Sequence, residues 1–219
     1  KDLALPVTID LVKWLKDHGA EPALPAGVAE AAGEPALASP GGEWARGSEF
    51  VIALGGDGTI LHAAEPAHEY GAPILGVNLG RVGFLSEIPP EGLDEALRRL
   101  DAGDYELDAR MLLSCRVNGD AQRLCLNEAL LYKRSFSGVV DISMEIDGID
   151  AGCVLCDGII VSTSTGATGY SISAGGPDVV AQAAAAASAG PSRGVQGAAP
   201  SRHASGPCPQ PGCPGQIGD

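Results

Sequence analysis

A short apolar run that ends in paired glycines constrains this chain more than any other feature. Phe50–Leu54 is followed at once by the turn Gly55–Thr59 (GGDGT), and apolar residues then recur at helical spacing from Ile60 onward. The run predicts a buried strand, the glycines predict a tight turn, and the spacing predicts a helix. Backbone N–H groups and the helix dipole at such a turn favour an anion. We therefore expect the segment to bind a phosphate group.

Asp57 is the exception within this turn. A carboxylate there would repel phosphate unless it binds Mg²⁺ or accepts a proton from an attacking hydroxyl, so the turn favours phosphoryl transfer. The segment matches neither the P-loop pattern G-x-x-x-x-G-K-[ST] nor the dinucleotide pattern G-x-G-x-x-G. The alternative is a structural hairpin in which Asp57 occupies a turn position.

The charge balance excludes some classes of partner. Asp and Glu total 28 against 14 for Lys and Arg, a formal charge of −14 over 219 residues. Such an acidic chain is a poor general binder of nucleic acid, because phosphate neutralisation supplies most of that affinity. No apolar stretch reaches the ~18–20 residues that cross a bilayer, and no signal peptide is recognisable. We therefore expect a cytoplasmic protein with neither a nucleic-acid nor a membrane partner.

The six cysteines do not indicate a disulfide framework in a chain of this length, which agrees with a reducing compartment. Cys153 and Cys156 with Cys208 and Cys213 have the spacing of a conceivable four-thiolate zinc site. The first pair lies in a strand-like stretch and the second in a region without periodicity. Half-buried thiols are therefore favoured, and no metal-binding residue is predicted.

Residues 1–104 alternate predicted helices with apolar strands. A helix is predicted over Leu3–Gly19, a second strand over Pro73–Asn78, a second glycine turn over Leu79–Phe84 and a further helix from Pro90. This alternation predicts an α/β domain with a Rossmann-like, doubly wound parallel sheet, whose first strand would precede Lys1. Ligands of such sheets bind at the carboxyl ends of the strands, where both glycine turns fall.

Residues 105–180 follow a different pattern, with period-two alternation and hairpin turns at Asn118-Gly119 and Asp147-Gly148. The predicted strands are Met111–Val117, Leu124–Leu126, Val140–Ile146 and Ile149–Leu155. We therefore expect an all-β, sandwich-like second domain. Residues 181–219 consist mainly of Ala, Gly, Pro and Ser, and they are predicted to form a disordered, low-complexity tail.

Two further polar segments lie in the second domain: Asn127-Glu128, and the hydroxyl-rich, glycine-punctuated stretch Asp157–Pro177. The stretch offers many hydrogen-bond donors and acceptors to a ligand rich in hydroxyl groups. The alternative is a Ser/Thr-rich turn that caps its own backbone. The three segments GGDGT, N-E and D-G-x-x-x-S-T-x-T-G-x-T-x-Y-S-x-S-A-G-G-P, in this order, resemble the NAD kinase family over residues 5–180.

This resemblance implies an α/β phosphate-donor domain followed by a sandwich-like NAD-binding domain, with the family's first strand and last sandwich strands lacking a counterpart. It implies transfer of a phosphoryl group from ATP or polyphosphate to the 2′-hydroxyl of the adenosine ribose of NAD, which gives NADP. Mg²⁺ or another divalent cation would accompany the donor, and no tightly bound cofactor is expected. Members of the family usually form homo-oligomers.

The resemblance also implies roles for individual residues. Asp57 corresponds to the catalytic residue that activates the hydroxyl. The residues of its turn that face phosphate are Gly55, Gly56, Gly58 and Thr59. The residues that contact NAD are Asp57, Gly58, Phe84, Asn127, Glu128, Asp157, Thr168, Gly169, Tyr170, Ser171 and Ser173.

Two alternatives stay open at this point. Lipid kinases share the GGDGT turn but lack the long hydroxyl-rich motif, and phosphofructokinases carry a GGDGS turn without the N-E pair, so a lipid or sugar kinase is the first alternative. The second is an inactive fragment that binds NAD without phosphorylating it.

Overall fold

The computed structural model describes residues 3–41, 43–80, 83–86, 88–177 and 179. The tail expected at 181–219 therefore lies outside the described residues. Contacts divide the chain into an N-terminal unit, Lys1–Asp108, and a C-terminal unit, Ala109–Asp219. The first is α/β and the second is mainly β, which confirms the predicted order of the two classes.

The described part of the N-terminal unit contains two parallel strand pairs, a short one of two residues per strand and a longer one of five. Its helices are α1 Ala4–Asp17, α2 Ala26–Ala31, α3 Asp57–Tyr70 and α4 Leu93–Asp101. Its strands are β1 Leu24–Pro25, β2 Ala38–Ser39, β3 Val51–Gly55 and β4 Ile74–Asn78. Single 3₁₀ turns occupy Pro35–Leu37, Glu43–Ala45 and Pro90–Gly92. The helix expected from Pro90 therefore begins as a 3₁₀ turn and becomes α-helical at Leu93.

Strands β3 and β4 pair in parallel, with Gly55 opposite Asn78. Both strands therefore end at the same edge of the sheet, and both glycine turns start there, as the sequence predicted. The first turn is tighter than expected, because α3 already begins at Asp57 and only Gly56 separates it from β3. The hairpin alternative is therefore wrong: the strand leads into a helix, and its neighbour in the sheet runs parallel to it.

Apolar side chains cover both faces of this strand pair. Ala63 and Ala67 of α3 pack with Val51 on one face. On the other face Val77, which is fully buried, packs with Leu11 of α1 and with the α4 residues Leu93 and Leu97. The alternation of side chains along each strand explains why each face has its own cluster.

The described part of the C-terminal unit contains three antiparallel strand pairs. Its strands are β5 Leu113–Cys115, β6 Arg123–Cys125, β7 Glu128–Tyr132, β8 Val140–Ile146, β9 Ile149–Cys156 and β10 Gly158–Ser162. The pairs are β5 with β6, β7 with β10 and β8 with β9. Positive φ angles at Asp147 (52°) and Gly148 (77°) match the tight hairpin turn predicted between β8 and β9.

The expectation of purely β structure in this unit is wrong in one place. A 3₁₀ turn, Thr165–Thr168, and a one-turn helix, α5 Tyr170–Ser173, follow β10. Both fall in the hydroxyl-rich stretch, where serine and threonine weaken the period-two pattern by bonding to the backbone. The predicted first hairpin is also shorter than expected, because its strands cover only Leu113–Cys115 and Arg123–Cys125. Among the described residues, no helix is long and apolar enough to cross a membrane.

Candidate active site

Asp57 is the first residue of α3, at the carboxyl edge of the β3–β4 pair. The first turn of a helix leaves backbone N–H groups without intrahelical partners, and the helix dipole is positive there. The turn depends on glycine at position 55, since a Cβ there would lie 2.1 Å from Oγ1 of Thr59. The close approach of the Thr59 hydroxyl thus explains why a glycine ends the strand.

Two backbone amides hold the Asp57 carboxylate. The N–H of Phe84 donates to Oδ2 at 2.9 Å, and the N–H of Leu85 donates to Oδ1 at 3.0 Å. We call this arrangement the carboxylate clasp. A Cβ at Gly83 would lie 2.1 Å from Oδ1 of Asp57, so a side chain at position 83 and the carboxylate exclude each other. The clasp and the helix dipole together explain how a carboxylate is tolerated in an anion-binding turn.

An open concavity of about 650 Å³ adjoins this turn and is lined by Gly56, Gly58, Thr59, Leu61 and His62. Three of the four residues predicted to face phosphate therefore line one concave surface. Leu61 and His62 were not predicted. Thr59 and His62 are three residues apart and so share a face of α3, a spacing that could have indicated His62 from sequence.

The second turn supplies Phe84, an exposed aromatic residue. The sequence predicted an apolar contact for NAD at this position, and the clasp brings its backbone to Asp57. Gly83 and Leu85 were not predicted as site residues. The available signal was a glycine directly before Phe84, in a turn at the same sheet edge as GGDGT.

In the C-terminal unit, Asn127 and Glu128 lie against the hydroxyl-rich stretch. Glu128 opens β7 and pairs with Ser162, the last residue of β10. The chain then turns at Thr163, whose N–H donates to the Asn127 carbonyl at 2.8 Å and whose hydroxyl donates to the Leu126 carbonyl at 2.6 Å. These bonds fix the start of the turn against the N-E pair.

Glycines allow the turn to approach this pair closely. A Cβ at Gly166 would lie 2.2 Å from the Asn127 carbonyl oxygen, and one at Gly169 would lie 3.1 Å from Oε2 of Glu128 and 3.2 Å from Nδ2 of Asn127. The structure therefore brings together three predicted NAD-binding residues: Asn127, Glu128 and Gly169. We call them the N-E-G cluster.

The cluster holds buried acceptors without partners. Among the described residues, Oδ1 of Asn127 and Oε2 of Glu128 are buried and accept no hydrogen bond, and Oγ1 of Thr165, in the turn that follows Thr163, is also buried without a partner. Burial also raises the pKa of the Glu128 carboxyl, since desolvation disfavours its charged form. Unpaired buried polar atoms are rare and costly, so such a concentration is typical of a binding site.

The alternative of a self-capping turn holds for two of the hydroxyls. The Gly166 N–H donates to Oγ1 of Thr163 at 3.0 Å, and Oγ1 of Thr168 donates to the Thr165 carbonyl at 3.3 Å. Thr168, a predicted NAD contact, thus uses its hydroxyl inside the turn. Helix α5 follows Gly169 directly and contains the predicted contacts Tyr170, Ser171 and Ser173. Tyr170 is 54% exposed.

Asp157 stands apart from the N-E-G cluster. It lies between β9 and β10, whereas the cluster lies at the other end of β10, five residues further on. Its Oδ1 pairs with Nζ of Lys133 at 2.5 Å, and Lys133 also donates to the Gly138 carbonyl at 2.7 Å. The structure therefore does not bring Asp157 together with the other predicted residues of its unit.

Within the part of the chain that the structure describes, no group of three or more His, Cys, Asp or Glu residues could hold a metal ion. Cys115 and Cys156 carry free, half-buried thiols. The conceivable zinc site required Cys208 and Cys213, which lie outside the described residues.

Family models decide between the open interpretations. The model of the ATP-NAD kinase N-terminal domain matches residues 43–105, and that of the ATP-NAD kinase C-terminal domain matches residues 126–188, together more than half of the chain. The chain belongs to the NAD kinase family. The resemblance drawn from the three motifs is thereby confirmed, and the lipid or sugar kinase alternative loses its support.

Relatives agree with this family. An NAD kinase of Caldanaerobacter subterraneus subsp. tengcongensis is 41% identical over 183 residues, which cover 82% of this chain and 65% of the relative. One of Rhodococcus erythropolis is 46% identical over 144 residues, covering 64% and 46% respectively. The chain thus spans between about half and two thirds of the length of these relatives.

Solved structures show the same fold. The NAD kinase of Archaeoglobus fulgidus in complex with ATP matches with a TM-score of 0.54 and 35% identity, over 64% of this chain and 55% of that one. Yeast NADH kinase complexed with NADH matches with a TM-score of 0.57 and 25% identity, over 65% and 43%. The α/β unit followed by a β unit is therefore a fold of NAD kinases.

Proposed function

We propose that this chain phosphorylates the 2′-hydroxyl of the adenosine ribose of NAD, with ATP or polyphosphate as the phosphoryl donor. The observation that carries the proposal is the Asp57 carboxylate, held at the N-terminus of α3 beside an open, glycine-lined concavity. Membership in the family supports it, as do the relatives crystallised with ATP and with NADH.

In the proposed step, the ribose hydroxyl oxygen forms a bond to the terminal phosphorus of the donor while the bond from that phosphorus to its leaving oxygen breaks. The hydroxyl proton passes to Asp57, so NAD and ATP give NADP, ADP and one proton. Each Asp57 oxygen accepts one amide hydrogen bond and keeps a lone pair for the hydroxyl. A positioned base of this kind contributes about 10²–10⁴ to the rate.

Gly55, Gly56, Gly58 and Thr59 are proposed to face the phosphates of the donor. The α/β unit supports this role, because parallel strands covered by helices on both faces are typical of a doubly wound sheet, which binds ligands at the carboxyl edge.

The N-E-G cluster is proposed to hold NAD. The free atoms Asn127 Oδ1 and Glu128 Oε2 are both acceptors, so they select a ligand group that donates, such as a ribose hydroxyl or an exocyclic amine. The other predicted contacts stay proposals: Gly58, Phe84, Asp157, Thr168, Tyr170, Ser171 and Ser173.

A divalent cation would accompany the donor in this proposal. Mg²⁺ usually keeps several waters and binds through one or two carboxylates plus substrate phosphates. The described residues form no ready-made metal cage, and both Asp57 oxygens already accept amide hydrogen bonds. The cation would therefore arrive on the donor phosphates, where it offsets their negative charge. Assembly into a homo-oligomer and a cytoplasmic location stay predictions.

The experiment that tests the function offers the purified 219-residue chain NAD with ATP or with polyphosphate and measures NADP. Diacylglycerol and fructose 6-phosphate serve as competing acceptors. We expect NADP and no other phosphorylated product. Phosphorylation of the lipid or sugar would overturn the proposal, and NAD binding in a calorimeter without NADP would favour the inactive fragment.

A further inference from the structure

The segment Gly83–Ser86 lies across the start of α3 and against β4. A Cβ at Gly76 of β4 would lie 3.2 Å from the Cα of Ser86 and 3.3 Å from the Leu85 carbonyl oxygen. Ser86 is buried, whereas Phe84 is 70% exposed. One end of the segment is therefore fixed by packing, but its aromatic ring is not enclosed by the core.

The carboxylate clasp is the contact that ties Phe84 to α3. Its two hydrogen bonds join residues 27 and 28 positions apart in the sequence, one to each oxygen of Asp57. Consecutive amides that donate to a single carboxylate fix the direction of the backbone between them. A hydrogen bond to an ionised group is also stronger than one between neutral groups. The direction of the Phe84 side chain follows from that backbone.

We infer that Asp57, besides accepting the proton, positions Phe84 for contact with NAD by clasping the backbone of residues 84 and 85. The inference rests on the proposed function. It also gives Gly83 a role as a positioning residue, because only a residue without a Cβ leaves room for the carboxylate.

The clasp requires two acceptors, and this requirement separates aspartate from its isostere. Asparagine presents one carbonyl oxygen and one NH₂ group. In Asp57→Asn one of the two amides therefore faces another donor, so the clasp opens on one side. The inference thus predicts that Asp57→Asn weakens NAD binding as well as removing the proton acceptor.

Amide hydrogen exchange of the 219-residue chain, read by NMR, tests the clasp without any ligand. In Asp57→Asn and in Gly83→Ala, the protection of the Phe84 and Leu85 amides should fall about tenfold or more, as expected for loss of a hydrogen bond to a charged group. Gly80→Ala is the matched control, since a Cβ at this glycine of the same turn meets nothing within 4 Å. Unchanged protection of Val77 in the β4 strand would show that the unit stays folded.

Calorimetry then tests the link to NAD. Phe84→Ala and Asp57→Asn should each weaken NAD binding about tenfold, within the range for loss of one base-stacking aromatic. The double variant should lose less affinity than the two single losses added together, because the Phe84 contact can be removed only once. Full additivity of the two losses would overturn the inference.

The outcomes distinguish the clasp from the function. Unchanged exchange at Phe84 and Leu85 in a folded Asp57→Asn variant would overturn the clasp, whatever the chain binds. If the wild-type chain does not bind NAD, but the Phe84 and Leu85 amides lose protection in the variants as expected, the proposed function is contradicted and the clasp is supported.

Discussion

In the N-terminal unit the site residues stand on a strand pair that is covered on both faces, whereas in the C-terminal unit they stand on strand pairs that expose apolar side chains. Val77 and Ala67 are 0% and 1% exposed. Tyr132 of β7 and Ile149 of β9 are each 71% exposed. Packing therefore covers the strand pair beside Asp57 on both faces. In the second unit Tyr132 lies at the far end of β7 from the N-E-G cluster, and Leu126 and Ala167, which flank the cluster in sequence or in its turn, are buried.

Hydrogen bonds add to packing at the N-E-G cluster. Thr163 bonds to the Leu126 carbonyl through its side chain and to the Asn127 carbonyl through its backbone, and its oxygen accepts the Gly166 N–H. Such a network loses much when one member is removed, because each buried group left unpaired costs more than an average bond contributes. We therefore expect substitutions in the two parts of the candidate site to lower stability for different reasons, mainly lost packing in the first unit and unpaired hydrogen-bonding groups in the second.

The largest effect is expected at Asp57. Asp57→Ala should lower the rate of NADP formation by about 10²–10⁴, the usual contribution of a positioned base. The matched control is Asp94→Ala, because Asp94 also lies in the first turn of a helix but is exposed and belongs to neither glycine turn. Steady-state rates at saturating NAD measure both. A rate for Asp57→Ala within threefold of the control would contradict the catalytic role.

Gly166→Ala is expected to have the next largest effect. A methyl group at this position would meet the Asn127 carbonyl at 2.2 Å, and that backbone atom has little room to move. We expect NAD binding to be lost and the free energy of unfolding to fall by about 1–3 kcal/mol, as in overpacked sites. Calorimetry and urea unfolding give the two quantities.

Gly27→Ala provides the comparison for this variant. Gly27 lies in α2, and a Cβ there meets nothing within 4 Å. It should keep NAD affinity and gain slightly in stability, since alanine is the better helix former. Wild-type NAD affinity in Gly166→Ala would show that the turn does not press on Asn127 as described.

The sequence predicted the N-terminal unit more fully than the C-terminal one, because apolar side chains cover both faces of its β3–β4 pair. Covered strands leave continuous apolar runs such as Val51–Leu54, which are easy to recognise, and their turns are marked by glycine. The clasp was not predictable, because a hydrogen bond from the backbone N–H of Phe84 to the Asp57 carboxylate has no signature in either residue type. The pairing register places Ser162 opposite Glu128, so the length of β10 separates Asp157 from Glu128. This separation was not predicted, because register depends on strand partners that are distant in the sequence.

A matched pair of core substitutions sharpens the contrast between packing and hydrogen bonding. Thr163→Val keeps the shape of a buried side chain but leaves the Gly166 N–H unpaired, so it should cost about 1–3 kcal/mol and weaken NAD binding. Val77→Ala should cost about 2–3 kcal/mol through lost burial and the cavity it leaves, without a change in NAD affinity in chain that stays folded. Urea unfolding and calorimetry on both variants provide the test. Equal losses of NAD affinity would remove the distinction between the two units.

The smallest expected effect concerns the pH dependence of stability at Glu128. Burial raises the pKa of this carboxyl above its ordinary value of 4.5, so the folded chain holds the proton more tightly than the unfolded chain does. The contribution of Glu128 to the free energy of unfolding is therefore fully present below pH 4.5 and is lost as the pH rises through the raised pKa. Glu128→Gln cannot titrate, so its stability relative to wild type should increase with pH across this window. Urea unfolding of both proteins from below pH 4.5 to neutrality measures the difference.

Bound NAD should oppose the upward shift of the Glu128 pKa, because a donor group placed on the free Oε2 atom stabilises the ionised carboxylate and releases a proton. Identical pH slopes in the two proteins would show that Glu128 is hydrated in solution, and the case for a ligand at its free oxygen would then fail.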